Sequence, residues 1–363
     1  TIDKTMQLTA LYEAYNAHIR LDQEPTIDYV SVGLAGRSSA ILLSAGMSVK
    51  LWGFDIDAYF RKSGKQRLHW WMSGLLYWDG YGHDPRVQFG QREAPVRLGR
   101  QSTFLRFAMH REMSRLYKAY PPRDDRLVKW LAHRAGLAAE HGAPEITYAA
   151  LFYVMLFVDD AAGGTIDDPL YDHRGQPILA EKDGKLAHVG RADMYLDACL
   201  KILEYFGHGE SVGKTVRPSL ERDFLGVTES LATRLLFLTK AKKSAYAQSC
   251  TDALEGAQTY QRGVVVQYPA LNSLVHKLLH AASLIVLGRQ HLWHLKQALR
   301  VGRNGLRSGA CLLHGGAQSE LRWWVHRLSQ QEEEGVPLAS RSTFPSSEGI
   351  PPCSTRTQTR HAS

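Results

Sequence analysis

Hydrophobic positions along this chain switch repeatedly between the period of a helix and that of a strand. Residues 31 to 47 carry small and apolar residues (Ala40, Ile41, Leu42, Leu43) and read as a helix closed by Gly46. Val49, Leu51 and Gly53 then alternate with Lys50 and Trp52, which predicts a strand running into Asp55. Leu68 to Tyr81 holds Trp70, Trp71, Tyr77 and Trp78, the makings of aromatic strands with Gly74 as their turn. Helical spacing over 101 to 118 puts Phe104, Phe107 and Met113 on one face. Tyr148 to Val158 is an apolar run bounded by acids, as in a buried strand. Residues 161 to 190, rich in Gly, Asp and Pro, read as a turn with a loop insertion. Leu196, Leu200, Leu203 and Phe206 recur at helical spacing before Gly207, and Leu271, Leu274, Leu278 and Ile285 repeat the pattern within 271 to 300. Strands and helices that alternate first and give way to helices later predict an α+β fold: an antiparallel sheet with packed helices and a helical appendage.

Composition narrows the class. With 44% hydrophobic and 22% charged residues the chain has the balance of a globular protein, and no apolar run reaches the length of a membrane-spanning helix. Residues 1 to 30 show little pattern and contain no charged-then-apolar leader resembling a signal peptide, and the absence of an initiator Met reads as a fragment. Cys199, Cys250, Cys311 and Cys353 lie far apart without a CxxC pair, which suits a reducing, intracellular compartment (cytoplasmic or nuclear) better than a disulfide or zinc framework. The net charge of +8 is unevenly placed. Residues 231 to 307 hold eleven Lys or Arg against Asp252 and Glu255 alone, a concentration that suits a polyanionic partner or a solvated basic surface. Beyond Glu334 the chain turns to Ser, Thr, Pro and Arg, which cannot build a core.

Three short stretches carry candidate chemistry. Phe157-Val158-Asp159-Asp160 follows Tyr153-Val154-Met155-Leu156, so adjacent carboxylates end an apolar strand. Such a pair is costly unless a cation or a turn position compensates it. Mg²⁺ takes oxygen ligands, and phosphoryl transfer uses metal ions to hold attacking and leaving oxygens. A surface turn is the commoner use of Asp-Asp alone, and Asp167-Asp168 before Pro169 reads as one. In Trp52 to Arg61 a second apolar strand ends in acid at Asp55, with Tyr59 and Phe60 where a nucleotide's sugar could stack; an amphipathic edge strand has the same pattern. Val87-Gln88-Phe89-Gly90-Gln91-Arg92-Glu93-Ala94-Pro95, followed by Arg97 and Arg100, is a loop and helix start whose N–H groups and Arg can face phosphate.

In this order the stretches resemble the sequential motifs of reverse transcriptases: a first palm aspartate with its aromatic, the FG…AP helix motif, then the YxDD box. Gly207-His208 through Lys214 is similar to the next palm motif, and Phe224-Leu225-Gly226-Val227 to the hairpin that grips the primer end. Leu274 to His280, Gly288-Arg289 and Leu321-Arg322-Trp323-Trp324 look like the thumb and connection of retrotransposons, nearest to the tyrosine-recombinase (DIRS-type) retroelements. The resemblance spans roughly residues 28 to 328. It implies a right-hand polymerase fold with partial fingers at 1–47, a palm with fingers insertion at 48–230, a helical thumb and connection at 231–330, and a disordered tail at 331–363. It implies an RNA-directed DNA polymerase that uses Mg²⁺ or Mn²⁺, binds an RNA/DNA template–primer duplex and deoxynucleoside triphosphates, and is not a membrane protein. Asp55, Asp159 and Asp160 would be the catalytic and metal-holding residues. Tyr59, Phe60, Gln91, Arg92 and Lys214 would bind the nucleotide, Phe60 as a steric gate against a ribose 2′-hydroxyl. Phe224, Leu225 and Gly226 would grip the primer.

Departures from the family pattern matter. Phe157 stands where the box usually begins with Tyr, and Glu93 replaces the small residue usual before Ala-Pro. Before Asp55 only Lys4, Arg20, Arg37 and Lys50 are basic, too few for the fingers strands that normally hold the triphosphate. The expectation is therefore metal and primer–template binding with weak or absent extension by this stretch alone, restored by adding upstream sequence. A catalytically inactive, truncated remnant that only binds nucleic acid is the alternative. His276/His280 and His291/His294 have pair spacing but no third ligand, so helix surface is the plainer reading; Trp323 and Trp324 read as packing residues. No P-loop, GxGxxG or GxSxG in its strand–helix setting supports an NTPase, dinucleotide or hydrolase function.

Overall fold

The computed structural model describes residues 31–59, 74–77, 80–83, 94–140, 151–182, 184–255, 259–260, 263–305, 309–330 and 334–338. In chain order the elements are α1 (Val32–Leu43), β1 (Val49–Asp55), β2 (Gly74–Tyr77), β3 (Gly80–His83), α2 (Ala94–Ala119) and α3 (Asp125–Glu140). Next come β4 (Phe152–Phe157), β5 (Asp160–Ile166), β6 (Leu179–Lys182), β7 (Lys185–His188) and α4 (Arg191–Tyr205). Then follow β8 (Val216–Ser219), β9 (Glu221–Phe224), β10 (Val227–Ser230), β11 (Leu235–Leu238), α5 (Lys240–Glu255), β12 (Thr259–Tyr260), β13 (Gly263–Gln267) and α6 (Tyr268–Ala281). A 3₁₀ turn (Gly288–Leu292), α7 (Trp293–Gly305), β14 (Ala310–Leu313), α8 (Gly315–Ser329) and β15 (Gly335–Pro337) complete it. Helices packed on antiparallel sheets make this an α+β fold, as the pattern of periods predicts.

The central sheet has the order β4-β5-β1-β8, and every neighbouring pair is antiparallel. Strands β1, β4 and β5 are buried on both faces, while the edge strand β8 is partly exposed, and period 2 sorts the buried side chains between two cores. Trp52, Phe54, Phe152, Val154 and Leu156 face Leu98, Leu105, Met109 and Met113 of α2 and Tyr195, Leu196, Cys199 and Leu203 of α4. Leu51, Tyr153, Met155 and Ala162 face the core that contains α1, α3, α5, α6 and α8. A second sheet, β15-β11-β10-β9, belongs to that larger core.

The two sheets are pinned by a buried charge. Arg222 of β9 is 2% exposed and donates to the Trp52 carbonyl (3.0 Å), to Tyr153 Oη (3.0 Å), to the Gly163 carbonyl and to Glu229 of β10. Tyr153 Oη in turn shares a hydrogen bond with Ser39 of α1 (2.7 Å). One guanidinium thus joins α1, three strands of the central sheet and two of the second, with an acid partner that is itself buried.

Several expectations need correction. Ala161 to Ile166 is a core strand and not a turn. Its glycines are there for space: a Cβ at Gly163 would stand 2.1 Å from the Trp52 ring, and one at Gly164 2.6 Å from Tyr153. Gly163→Ala is accordingly expected to lower stability by about 1–3 kcal/mol through overpacking, read as a shift in the urea midpoint; a neutral result would mean the Trp52 ring does not cross β5 there. Gly74 opens β2 and does not form its turn. On α2 the buried face is Leu98, Leu105, Met109 and Met113, while Phe104 and Phe107 are exposed. Asp167-Asp168 is not a surface turn: Asp168 is buried in a two-pronged pair with Arg191, and Asp167 Oδ1 accepts from Ala192 N at the start of α4. The helical pattern of 271 to 300 divides at Leu287, whose φ is +65°, into α6 and α7. Lastly, the expected boundary at 230/231 falls inside the β10–β11 hairpin, and β15, from the expected tail, pairs with β11.

Candidate active site

The FVDD stretch forms a two-residue hairpin. Phe157 pairs with Asp160, so Val158 and Asp159 make the loop between β4 and β5. Val158 has φ +60°, the positive value that a II′-type turn places at its first loop residue and that usually falls to Gly. For a β-branched residue this is a strained geometry, worth about 1–3 kcal/mol, and its surroundings hold it in place. The Val158 side chain is buried, and Ser102 Oγ of α2 donates to the Val158 carbonyl (2.6 Å). Tyr59 lies behind that serine with its hydroxyl 3.2 Å from Ser102 Oγ. At 1% exposure Tyr59 braces the hairpin from within the core, so it offers no open face for a sugar.

Register does the rest. In the β1–β5 ladder Asp55 stands directly opposite Asp160, and Ile56 N donates to the Asp159 carbonyl (2.8 Å). Two motifs a hundred residues apart thus meet at one sheet end, because β1 ends where the hairpin turns. Directly opposed strand residues have Cβ atoms about 4.5–5.5 Å apart. Burial, first of all, and the nearby charges of Asp55 and Asp159 push the Asp160 carboxyl up to about 6, against the hydrogen bond from Leu225 N. Burial and the charge of Asp55 likewise raise Asp159. Like charges held together in a half-dry site are what a cation relieves.

Two cationic side chains already face this acid cluster. Lys214 Nζ lies 2.9 Å from Asp55 Oδ2, which also accepts from Ser211 Oγ (2.6 Å). The loop carrying both is fixed to the end of β1 by Ser211 N on the Asp55 carbonyl (2.7 Å) and Asp57 N on that of Gly209 (2.8 Å). Leu225 and Gly226 form the β9–β10 turn with φ +52° and +75°, the paired positive values of a type I′ hairpin. Leu225 N donates to Asp160 Oδ2 (3.1 Å), and Lys242 Nζ donates to the Leu225 carbonyl (2.9 Å). Phe224 is buried beneath the turn.

Asp55, Asp159, Asp160, Lys214 and the Leu225–Gly226 turn are therefore brought together. Phe60, Gln91 and Arg92 lie outside the described residues. Among the described residues no three His, Cys, Asp or Glu are grouped as a ready-made metal cage. The donor set still suits a hard cation. It is oxygen-only and held on strand ends, with carboxylates that resist ionising together, and an ammonium is already drawn onto Asp55. Of the histidines, His291 stacks on Trp323 (3.9 Å), while Trp324 is buried and donates to the His291 carbonyl (2.8 Å). Sequence reasoning missed Ser211 and the Arg222–Glu229 pair and counted Lys242 only among the basic residues of 231–307; an isolated Ser, Lys or Arg carries no signal of its place until the fold supplies its acceptor.

No protein-family model matches the chain, and no curated protein does. Solved structures to which it is similar include foamy viral protease-reverse transcriptase dRH in complex with double-stranded DNA, at 14% identity and TM-score 0.44 over 87% of this chain and 40% of that one. A second is the foamy viral protease-reverse transcriptase with an RNA/DNA hybrid, at 13% identity and TM-score 0.42 over 79% of this chain and 28% of that one. The chain spans less than half the length of either. Among the described residues no helix is long and apolar enough to cross a membrane.

Proposed function

We propose that this chain is the polymerase region of a reverse transcriptase, an RNA-directed DNA polymerase of a retroelement that extends a primer by nucleotidyl transfer. The observation that carries the reading is the Asp55–Asp160 cross-strand pair, with Asp159 on the strained turn beside it. Nothing in packing or folding asks for three carboxylates at one sheet end; a charge-dense substrate and its counterions do.

Each residue has a part in such a reaction. Asp55 and Asp159 would hold the ions, and Asp160, fixed by Leu225 N, would set the third edge of the site. When bound, Mg²⁺ or Mn²⁺ supplies the Lewis acidity that activates a primer 3′-hydroxyl and steadies the phosphate oxygens. Lys214, released from Asp55 as cations enter, would turn its ammonium to the departing pyrophosphate. The Leu225–Gly226 turn borders Asp160, where a primer end would lie, and the type I′ geometry keeps it rigid.

Metal-dependent extension of an RNA-templated DNA primer by the full chain tests the reading. Template–primer binding with no incorporation under Mg²⁺ or Mn²⁺, both for this chain and after upstream sequence is added, would establish the alternative, an inactive nucleic-acid-binding remnant.

Proton competition gives a separate check. Asp160 titrates at about 6, so Mn²⁺ affinity is expected to fall as pH drops through that value and to level off above it. Electron paramagnetic resonance of free Mn²⁺ between pH 5 and 8 measures this. A flat profile would remove Asp160 from the site.

A further inference from the structure

The turn between β9 and β10 is held at two points by the residue before α5 and by a residue of its first turn. Thr239 N donates to the Gly226 carbonyl (3.3 Å), and Lys242 Nζ donates to the Leu225 carbonyl (2.9 Å). Both carbonyls of the turn are thereby engaged by one short stretch of chain. The Lys242 stem lies flat across the turn: a Cβ at Gly226 would stand 2.0 Å from its Cε. Gly226 is therefore required twice, for its positive φ and for the lysine that crosses it. Leu225 is thereby gripped on both sides of its Cα: its carbonyl, in the peptide to Gly226, by Lys242, and its N–H, in the peptide from Phe224, by Asp160 Oδ2.

We infer that Lys242 is a positioning residue for Asp160, acting through the Leu225–Gly226 turn. The inference rests on the function proposed above and adds a residue outside the four motif stretches that meet at the acids. It also reassigns a basic residue of the 231–307 segment. A lysine there would ordinarily be taken for a phosphate contact, which stands free in solvent and acts as a point charge. Lys242 is instead partly buried, with its ammonium on a backbone carbonyl and the charge of Asp160 nearby. A cation placed this way stiffens the frame around the acid cluster before substrate arrives, the kind of support that keeps a reacting constellation within a fraction of an ångström.

Lys242→Met and the milder Lys242→Gln remove the ammonium from the full chain, and Lys242→Arg keeps a donor at that place. Amide hydrogen exchange at Leu225 is expected to quicken at least tenfold in the Met and Gln variants, with the β9–β10 ladder amides unchanged and protection largely regained with Arg. In extension assays kcat should fall about tenfold while the primer–template Kd and its salt dependence stay as in the parent. Unchanged Leu225 exchange in both variants overturns the inference. So does a weaker Kd whose salt slope has dropped by about 0.9, the mark of one lost phosphate contact. Exchange needs no catalysis, so a parent chain without activity would count against the proposed function and leave this linkage to be decided by the amide alone.

Discussion

Asp159→Asn is expected to reduce primer extension at least about a thousandfold, roughly 4 kcal/mol of transition-state stabilisation, with the fold and template–primer affinity intact. The loss should sit in kcat, because Asp159 would act on ions and reacting oxygens and not on the duplex. The same change should make the metal-free protein more stable. Burial and the neighbouring charge of Asp55 raise the Asp159 carboxyl, so the folded state binds its proton more tightly than the unfolded chain does. A group shifted upward costs nothing below the unfolded value near 3.8 and destabilises increasingly as pH rises past it. The gain from Asn should therefore be absent at pH 3 to 4 and full at neutral pH. Single-turnover extension and urea melts at pH 4 and pH 7.5 measure both halves. Lower stability at pH 7.5 would mean the carboxylates are not crowded.

Arg222→Met is expected to cost about 3–5 kcal/mol, because it strands Glu229 as an unpaired buried charge and leaves the Trp52 and Gly163 carbonyls without their donor. Replacing both partners, as in Arg222→Met with Glu229→Leu, should recover much of the loss, since no bare charge is then left inside. A urea-melt double-mutant cycle separates these effects. A cost below about 1 kcal/mol for Arg222→Met alone would show that the pair does not join the two sheets. Activity should fall with stability here, since β9 leads directly into the turn that faces Asp160.

Periodicity made the strands and helices with ordinary composition legible. The Ala40–Leu43 helix, the strand into Asp55, the apolar run before Asp159 and the helix closed by Gly207 stand where their spacing put them. Residues whose identity answers a distant partner were not legible. Gly163 and Gly164 look like loop until Trp52 and Tyr153 lie across them. Phe104 and Phe107 look like core because hydrophobicity cannot say which face of α2 meets the sheet. Arg222 looks like surface because its acid and its carbonyl partners are remote from it in sequence or hidden in backbone. At the site, the acids could be singled out because each ends an apolar strand; their opposition required the β1–β5 register.

The pairing of β11 with β15 has a consequence for how the chain is divided. Among the described residues, α5 through α8 with the β12–β13–β14 sheet lie between one strand and its hydrogen-bonded neighbour. Neighbouring strands lie about 4.8 Å apart, so the two ends of this excursion are as close as the ends of a hairpin turn. In topological terms the helical region is an excursion inserted between paired strands, with two strands of chain at its root and not one. A body tethered twice cannot swivel about a single linker. Because α5, α6 and α8 also share one buried core with α1, α3 and the second sheet, the inserted stretch is anchored by side-chain packing as well as by its two strands.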